Sequence, residues 1–225
     1  MTTKVSALLG GAALVAMTIG TASAASVSDT LFTGFQQLSD NSAEYLINGA
    51  NSVGVNTVDV GDRLRGIFTI ETVEKSPFPT RFLGTGGNDE LTGIFDLVVV
   101  AKSGGPGAYQ FTFAPSGALA AYGGANVGAA FFADSTPDYT RVRQTGCVDI
   151  ACMEARATDG SLFWAVGFTS PTNFWMATAF SDDITTIGAI PAPGNGGQFN
   201  AGVNLIPNPA AVGPALGLVP CLNPL

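Results

Sequence analysis

Arg63-Leu64-Arg65-Gly66-Ile67-Phe68-Thr69-Ile70-Glu71-Thr72-Val73-Glu74 places Leu64, Phe68 and Ile70 on one side of an extended chain and Arg63, Arg65, Thr69 and Glu71 on the other. Side chains alternate with period two along a strand, so the stretch reads as a half-buried antiparallel strand. The segment from Leu91 to Lys102 ends in the run Val98-Val99-Val100, which suits a strand covered on both faces, and Ser103-Gly104-Gly105-Pro106-Gly107 then turns the chain. Further strands are predicted over Ala108 to Phe113, Asn126 to Ala133, Tyr139 to Thr145, Ser161 to Phe168 and Asn173 to Phe180, separated by Asp-Gly, Ser-Pro and Thr-Pro breaks. Many short strands, few stretches of helical period and no repeat predict an all-β protein, an antiparallel β-sandwich of jelly-roll-like form with short helical insertions. Ser28 to Leu38 and Pro115 to Tyr122 are the candidate helical pieces, and for the first a strand reading stays open.

Working outward, the chain begins Met1-Thr2-Thr3-Lys4, continues in a small and apolar run, and reaches Ala22-Ser23-Ala24 before Ala25. One cation, an apolar centre and an A-x-A ending are the marks of a cleaved export signal. A retained membrane anchor is the alternative, but Gly10, Gly11 and Gly20 and the small-residue ending favour cleavage. The expected organisation is a signal peptide at 1–24, a β-sandwich domain at 25–190 and a Pro/Gly/Asn-rich tail at 191–225, with no stable membrane span after cleavage. Such a chain is expected to be secreted or held at the cell surface, in a compartment where disulfides persist.

Composition narrows the chemistry. Nine cations face 17 acids, a net charge of -8, so phosphate backbones repel the chain and nucleic acid is not an expected partner. Histidine is absent. That removes the commonest general base, the usual zinc and copper ligand, and every Ser-His-Asp or Cys-His arrangement. Carboxylate chemistry, hard-cation binding through oxygen, and serine or lysine mechanisms remain.

Four kinds of candidate residue follow. Of the cysteines, Cys147 and Cys152 are close enough to staple a small loop, although pairings that include Cys221 stay open. Asn48, Ser52, Asn56 and Asp59 alternate oxygen-bearing side chains in a loop that resembles a worn calcium loop, with a polar hairpin as the other reading. No other cofactor is expected. Trp164 and Trp175 lie on adjoining predicted strands, where exposed rings would stack on sugars and buried rings would serve the core. Among the acids, Asp89-Glu90, Asp182-Asp183 and Asp96 are candidates for paired-carboxylate work, and Asp96, inside an apolar strand pattern, must face solvent or be paired.

Four segments carry a family resemblance: Asp40 to Ile47 (DNSAEYLI), Val60 to Ile70 (VGDRLRGIFTI), Ser135 to Arg141 (STPDYTR) and Asp159 to Trp164 (DGSLFW). With them the chain resembles exported proteins of the PEP-CTERM class, surface and exopolysaccharide-associated proteins of Gram-negative bacteria. The tail carries Pro207-Asn208-Pro209 where that class has Pro-Glu-Pro, and no arginine follows. The resemblance implies an exported domain and carries over no catalytic residues. Composition and resemblance together predict a non-enzymatic surface or extracellular-matrix protein, with extracellular polysaccharide or cell-surface components as partners and self-association as a further expectation. A histidine-free carbohydrate-active enzyme and a filament or sheath subunit are the alternatives.

Overall fold

Glu90–Ser103 is the strand on which the sheet is hung. The computed structural model describes residues 26–31, 36–84, 88–139, 147–168, 173–187, 196–200 and 203–206. In chain order these form α1 (Val27–Thr30), β1 (Gln37–Ile47), β2 (Arg63–Glu74), β3 (Arg81–Phe82), β4 (Glu90–Ser103), β5 (Tyr109–Pro115), a 3-10 turn (Ala120–Tyr122), β6 (Val127–Asp134), α2 (Ile150–Ala157), β7 (Ser161–Phe168), β8 (Phe174–Ala179), α3 (Ile184–Ile187), β9 (Gly196–Asn200) and β10 (Val203–Ile206). Every strand pairing is antiparallel.

One edge of β4 pairs with β2, from Thr92 to Val98. Its other edge is shared: β6 takes Glu90 to Phe95 and β5 takes Leu97 to Ser103. The sheet therefore forks at Asp96. One arm runs β6-β7-β10 and the other β5-β8-β9, while β1 closes the far side on β2. The expected all-β architecture is what the structure has, with its strands joined in one curled, forked network.

Alternation along β4 separates the two faces. Leu91, Phe95, Leu97 and Val99 face a core shared with Phe68, Ile70, Phe111, Phe113 and Trp164. Phe68, Phe131 and Trp164 meet there edge to face, with centroids 4.8 and 5.6 Å apart. Such contacts add about 0.5–1.5 kcal/mol each beyond the apolar area they bury. Gly66 is needed at this face because a Cβ would stand 2.2 Å from the Phe95 ring. Ile94 faces the other way, into a second cluster with Ile67, Leu119, Phe132, Ala157 and Ala165. Here α2 lies over the sheet, and Thr92 donates to the Ala157 carbonyl at 2.9 Å. Covering both faces is why residues from Glu90 to Leu97 are all buried.

Several local expectations need adjustment. β2 matches its predicted span, but the Arg63/Arg65 side is only partly exposed, because Ile67 is fully buried there and Arg65 reaches Glu154 on α2. β1 mixes Leu38, Ala43, Tyr45, Leu46 and Ile47 with polar residues in no regular alternation, and it pairs along its whole length with the neighbouring β2. The helix expected over Ser28 to Leu38 is one turn, and Leu38 already belongs to β1. Past Ile190, where composition reads as loop, β9 and β10 join the arms of the sheet. Most of the strand expected over Tyr139 to Thr145, residues 1–25 and residues 207–225 with Cys221 lie outside the described residues.

Candidate functional site

The fork creates a cavity. Because β5 and β6 leave the same edge of β4 in different directions, the sheet opens between its arms on the aromatic face. The opening has a volume of about 450 Å3 and is lined by Leu38, Phe68, Ile70, Phe95, Leu97, Ala129, Phe131, Val166, Phe168 and Trp175, together with Gly128 and Gly167. That size falls in the range of roughly 300–1,000 Å3 typical of small-molecule sites. Polar lining comes from β1 alone, through Asp40, Ser42 and Glu44 on the alternate positions that follow Leu38.

Trp175 is the anchor of the cavity wall. It is half-buried, tilted against Phe95 at 6.0 Å and edge-on to Phe113 at 6.4 Å between ring centroids. Trp164 is only 9 % exposed and is held between Phe131 and Phe163 in the core. The two tryptophans thus separate: Trp175 lines the cavity and Trp164 supports the sheet behind it.

Beneath the opposite face of β4 lies a charged network. Asp96 is fully buried and accepts from Arg63 Nε at 2.9 Å, Arg65 Nη1 at 2.8 Å and Ser116 Oγ at 2.5 Å, with Arg63 Nη2 on its second oxygen. Ser116 is the first residue after β5, so the carboxylate ties down the chain where the sheet forks. Burial pushes the Asp96 carboxyl up, but Arg63, Ser116 and Arg65 together hold it below the usual carboxylate value. Arg65 continues to Glu154 on α2, which also accepts from the Tyr45 hydroxyl. Burial raises Glu154, yet Arg65 and Tyr45 outweigh it and the carboxyl stays depressed. Burial, with Glu154 beside it, lifts the Tyr45 hydroxyl to about 12. Every charge in this network has an opposite charge or a donor, which makes it a structural clamp on α2.

No family model, curated protein or solved structure matches this chain.

The calcium-like loop is organised by a carboxylate. Asp62, fully buried, accepts from the Gly49 N–H, the Ser52 hydroxyl and the Asp59 N–H. Asn48 donates to the Gly54 carbonyl, and the Asn56 carbonyl accepts from the Ile184 N–H. Asp59 accepts from Val53 N–H and pairs with Lys102 at 3.0 Å, which also reaches Asp182 at 2.7 Å. Lys102 on β4 thus places a positive charge beside Asp59 and Asp182.

Cys147 is joined to Cys152, with Cα atoms 5.3 Å apart. Between them Asp149 caps α2 by accepting from the Cys152 N–H at 2.9 Å. Sequence reading misses α2 and with it Glu154. The available signal is Asp149 followed by Ala151, Met153, Glu154, Ala155 and Arg156, a capping residue before strong helix formers. Among the described residues no helix is long and apolar enough to cross a membrane.

Proposed function

We propose that the chain is an exported, non-catalytic binding protein of the cell surface or extracellular matrix, and that the cavity at the sheet fork holds the alkyl part of an amphipathic ligand. The observation that carries this reading is the aromatic cavity walled by Trp175, with its polar residues confined to β1. Apolar walls take up a chain, and Asp40, Ser42 and Glu44 along one rim suit a hydroxylated or cationic head group over an anionic one. The leader, the missing histidines and the PEP-CTERM-like segments support export and a role without catalysis.

Free polysaccharide is the less favoured occupant. Sugar recognition needs polar groups converging on many hydroxyls, and here they come from a single strand. Paired-acid hydrolysis is disfavoured at the same place: Asp40 and Glu44 lie four residues apart, about 13 Å along a strand, beyond the roughly 5–9.5 Å that glycosidases use.

Tryptophan fluorescence of Trp164→Phe protein, which isolates Trp175, tests the reading against alkyl glucosides of increasing chain length and against alkyl sulfates. A saturable response that strengthens with chain length and is weaker for the sulfates is expected. Saturable binding of a polysaccharide without alkyl-glucoside binding would replace the amphiphile with sugar, and released sugar products would make the protein an enzyme.

A further inference from the structure

Glu90 opens β4 and Asp134 closes β6, and the register sets them opposite each other across the ladder. The chain then turns through Ser135-Thr136-Pro137, with the Thr136 N–H on Asp134 Oδ1 at 2.8 Å, and folds back so that the Tyr139 N–H reaches Glu90 Oε2 at 3.2 Å. This return brings Asp138 to the same place. One carboxylate oxygen from each of Glu90, Asp134 and Asp138 lies within 4.8 Å of the others.

The cluster differs from a group of surface acids in one respect. Glu90 is 1 % exposed, and its Oε1 is buried with no hydrogen-bond partner. An orphaned buried carboxylate oxygen is costly, and it points at a missing positive or donating group. Among the described residues, Arg156 reaches Asp138 Oδ2 at 3.3 Å from a half-exposed position. Burial pushes the Glu90 carboxyl up to about 7, with Asp138 and Asp134 adding to the rise against the N–H groups of Tyr139 and Asp138. Asp159 feels the same excess: burial, then Asp138 and Asp134, raise it.

We infer that Glu90, Asp134 and Asp138 form a calcium site that fastens the loop after β6 to the start of β4. Two oxygens bound to one calcium at roughly 2.3–2.6 Å are at most about 5 Å apart, which the cluster satisfies. The donors are all oxygens, and the chain has no histidine, so a hard cation is the matching class. Three carboxylates leave three or more of the usual 6–8 positions to water and carbonyls, which sets the affinity on the order of 10⁻⁴–10⁻³ M. This site is separate from the Asn48, Ser52, Asn56 and Asp59 loop.

The experiment is calorimetric titration of EDTA-treated protein with calcium chloride, with melting curves alongside. One saturable site per chain and a melting temperature raised by a few degrees at saturating calcium are expected. Asp134→Asn should weaken calcium at least about tenfold, Glu90→Gln should abolish the calcium-dependent shift while remaining folded without calcium, and Asp59→Asn should leave both readouts unchanged. Absence of saturable binding, a calcium shift that survives both Glu90→Gln and Asp134→Asn, or one lost in Asp59→Asn alone would overturn the assignment.

Discussion

Glu90 and Asp96 are six residues apart on β4, point to the same face and are equally withdrawn from water, at 1 % and 0 % exposure. Their chemistry diverges because of what the neighbouring strands bring. Asp96 meets two guanidinium groups and a hydroxyl, and its carboxyl is held below the usual value. Glu90 meets two further acids, keeps an oxygen without a donor, and is pushed up to about 7. Burial by itself does not fix the state of a carboxylate; the donors that the fold supplies do. A fully matched carboxylate serves as a clamp, whereas an unmatched one marks a place for a ligand.

Asp96→Ala gives the largest expected effect. Removing one partner of a buried ion pair strands the others, so Arg63 loses its counter-charge, Arg65 is left with Glu154 alone, and the protein loses about 3–5 kcal/mol, read as a shift in the urea midpoint. A loss below about 1 kcal/mol would show that the network is solvated and would break the contrast with Glu90. Because the folded Asp96 carboxyl lies low, its contribution is present above the ordinary carboxylate value and disappears as acid reaches the folded value.

For Glu90 the sign reverses. The unfolded chain releases this proton near 4.5 and the folded protein near 7, so calcium-free protein binds more protons folded than unfolded in that window. Its stability therefore falls as pH rises from about 4.5 to about 7. Glu90→Gln should flatten this fall and stabilise calcium-free protein above pH 7 by no more than about 3 kcal/mol. Denaturant melts at a series of pH values, with Asp134, Asp138, Asp159 and Arg156 intact, measure it. A change of the opposite sign, with stability lost in acid, would place Glu90 in the same class as Asp96, and an unchanged profile would remove the contrast.

Tyr45→Phe sharpens the clamp side. It takes a hydroxyl from Glu154 while Arg65 stays, for a loss of about 1 kcal/mol, and ultraviolet titration of the parent should show one tyrosine ionising near 12. The smallest change is expected from Arg156→Gln, since its pair with Asp138 is half-exposed. Thermal melts should move by less than about 1 kcal/mol, with tighter calcium binding as a competing cation leaves the site.

Much of the sheet was legible in the sequence, and the reason is local. Leu64, Phe68 and Ile70 share a side because side chains alternate along any strand, and the valines of β4 announce a strand covered twice. The Asp96 dilemma was legible in the same way, since an acid within Ile94-Phe95-Asp96-Leu97 has to be matched. β1 was hidden because its apolar and polar residues do not alternate and its pairing is set by β2. For the two tryptophans the choice between exposed and core stayed open in the sequence, and register sends Trp175 to the cavity and Trp164 to the core.

The sequence by itself determined the β class, the principal strands and the closeness of Cys147 to Cys152, because each depends on alternation or on spacing along a few residues. Tertiary structure alone decided the fork at Asp96, the cavity it opens and the contrast between the two carboxylates. Those depend on partners far apart in the chain: Arg65 with Asp96 across 31 residues, Tyr45 with Glu154 across 109, and Tyr139 with Glu90 across 49. Such pairs are fixed by strand register and by the path of the loops, and no local pattern encodes them.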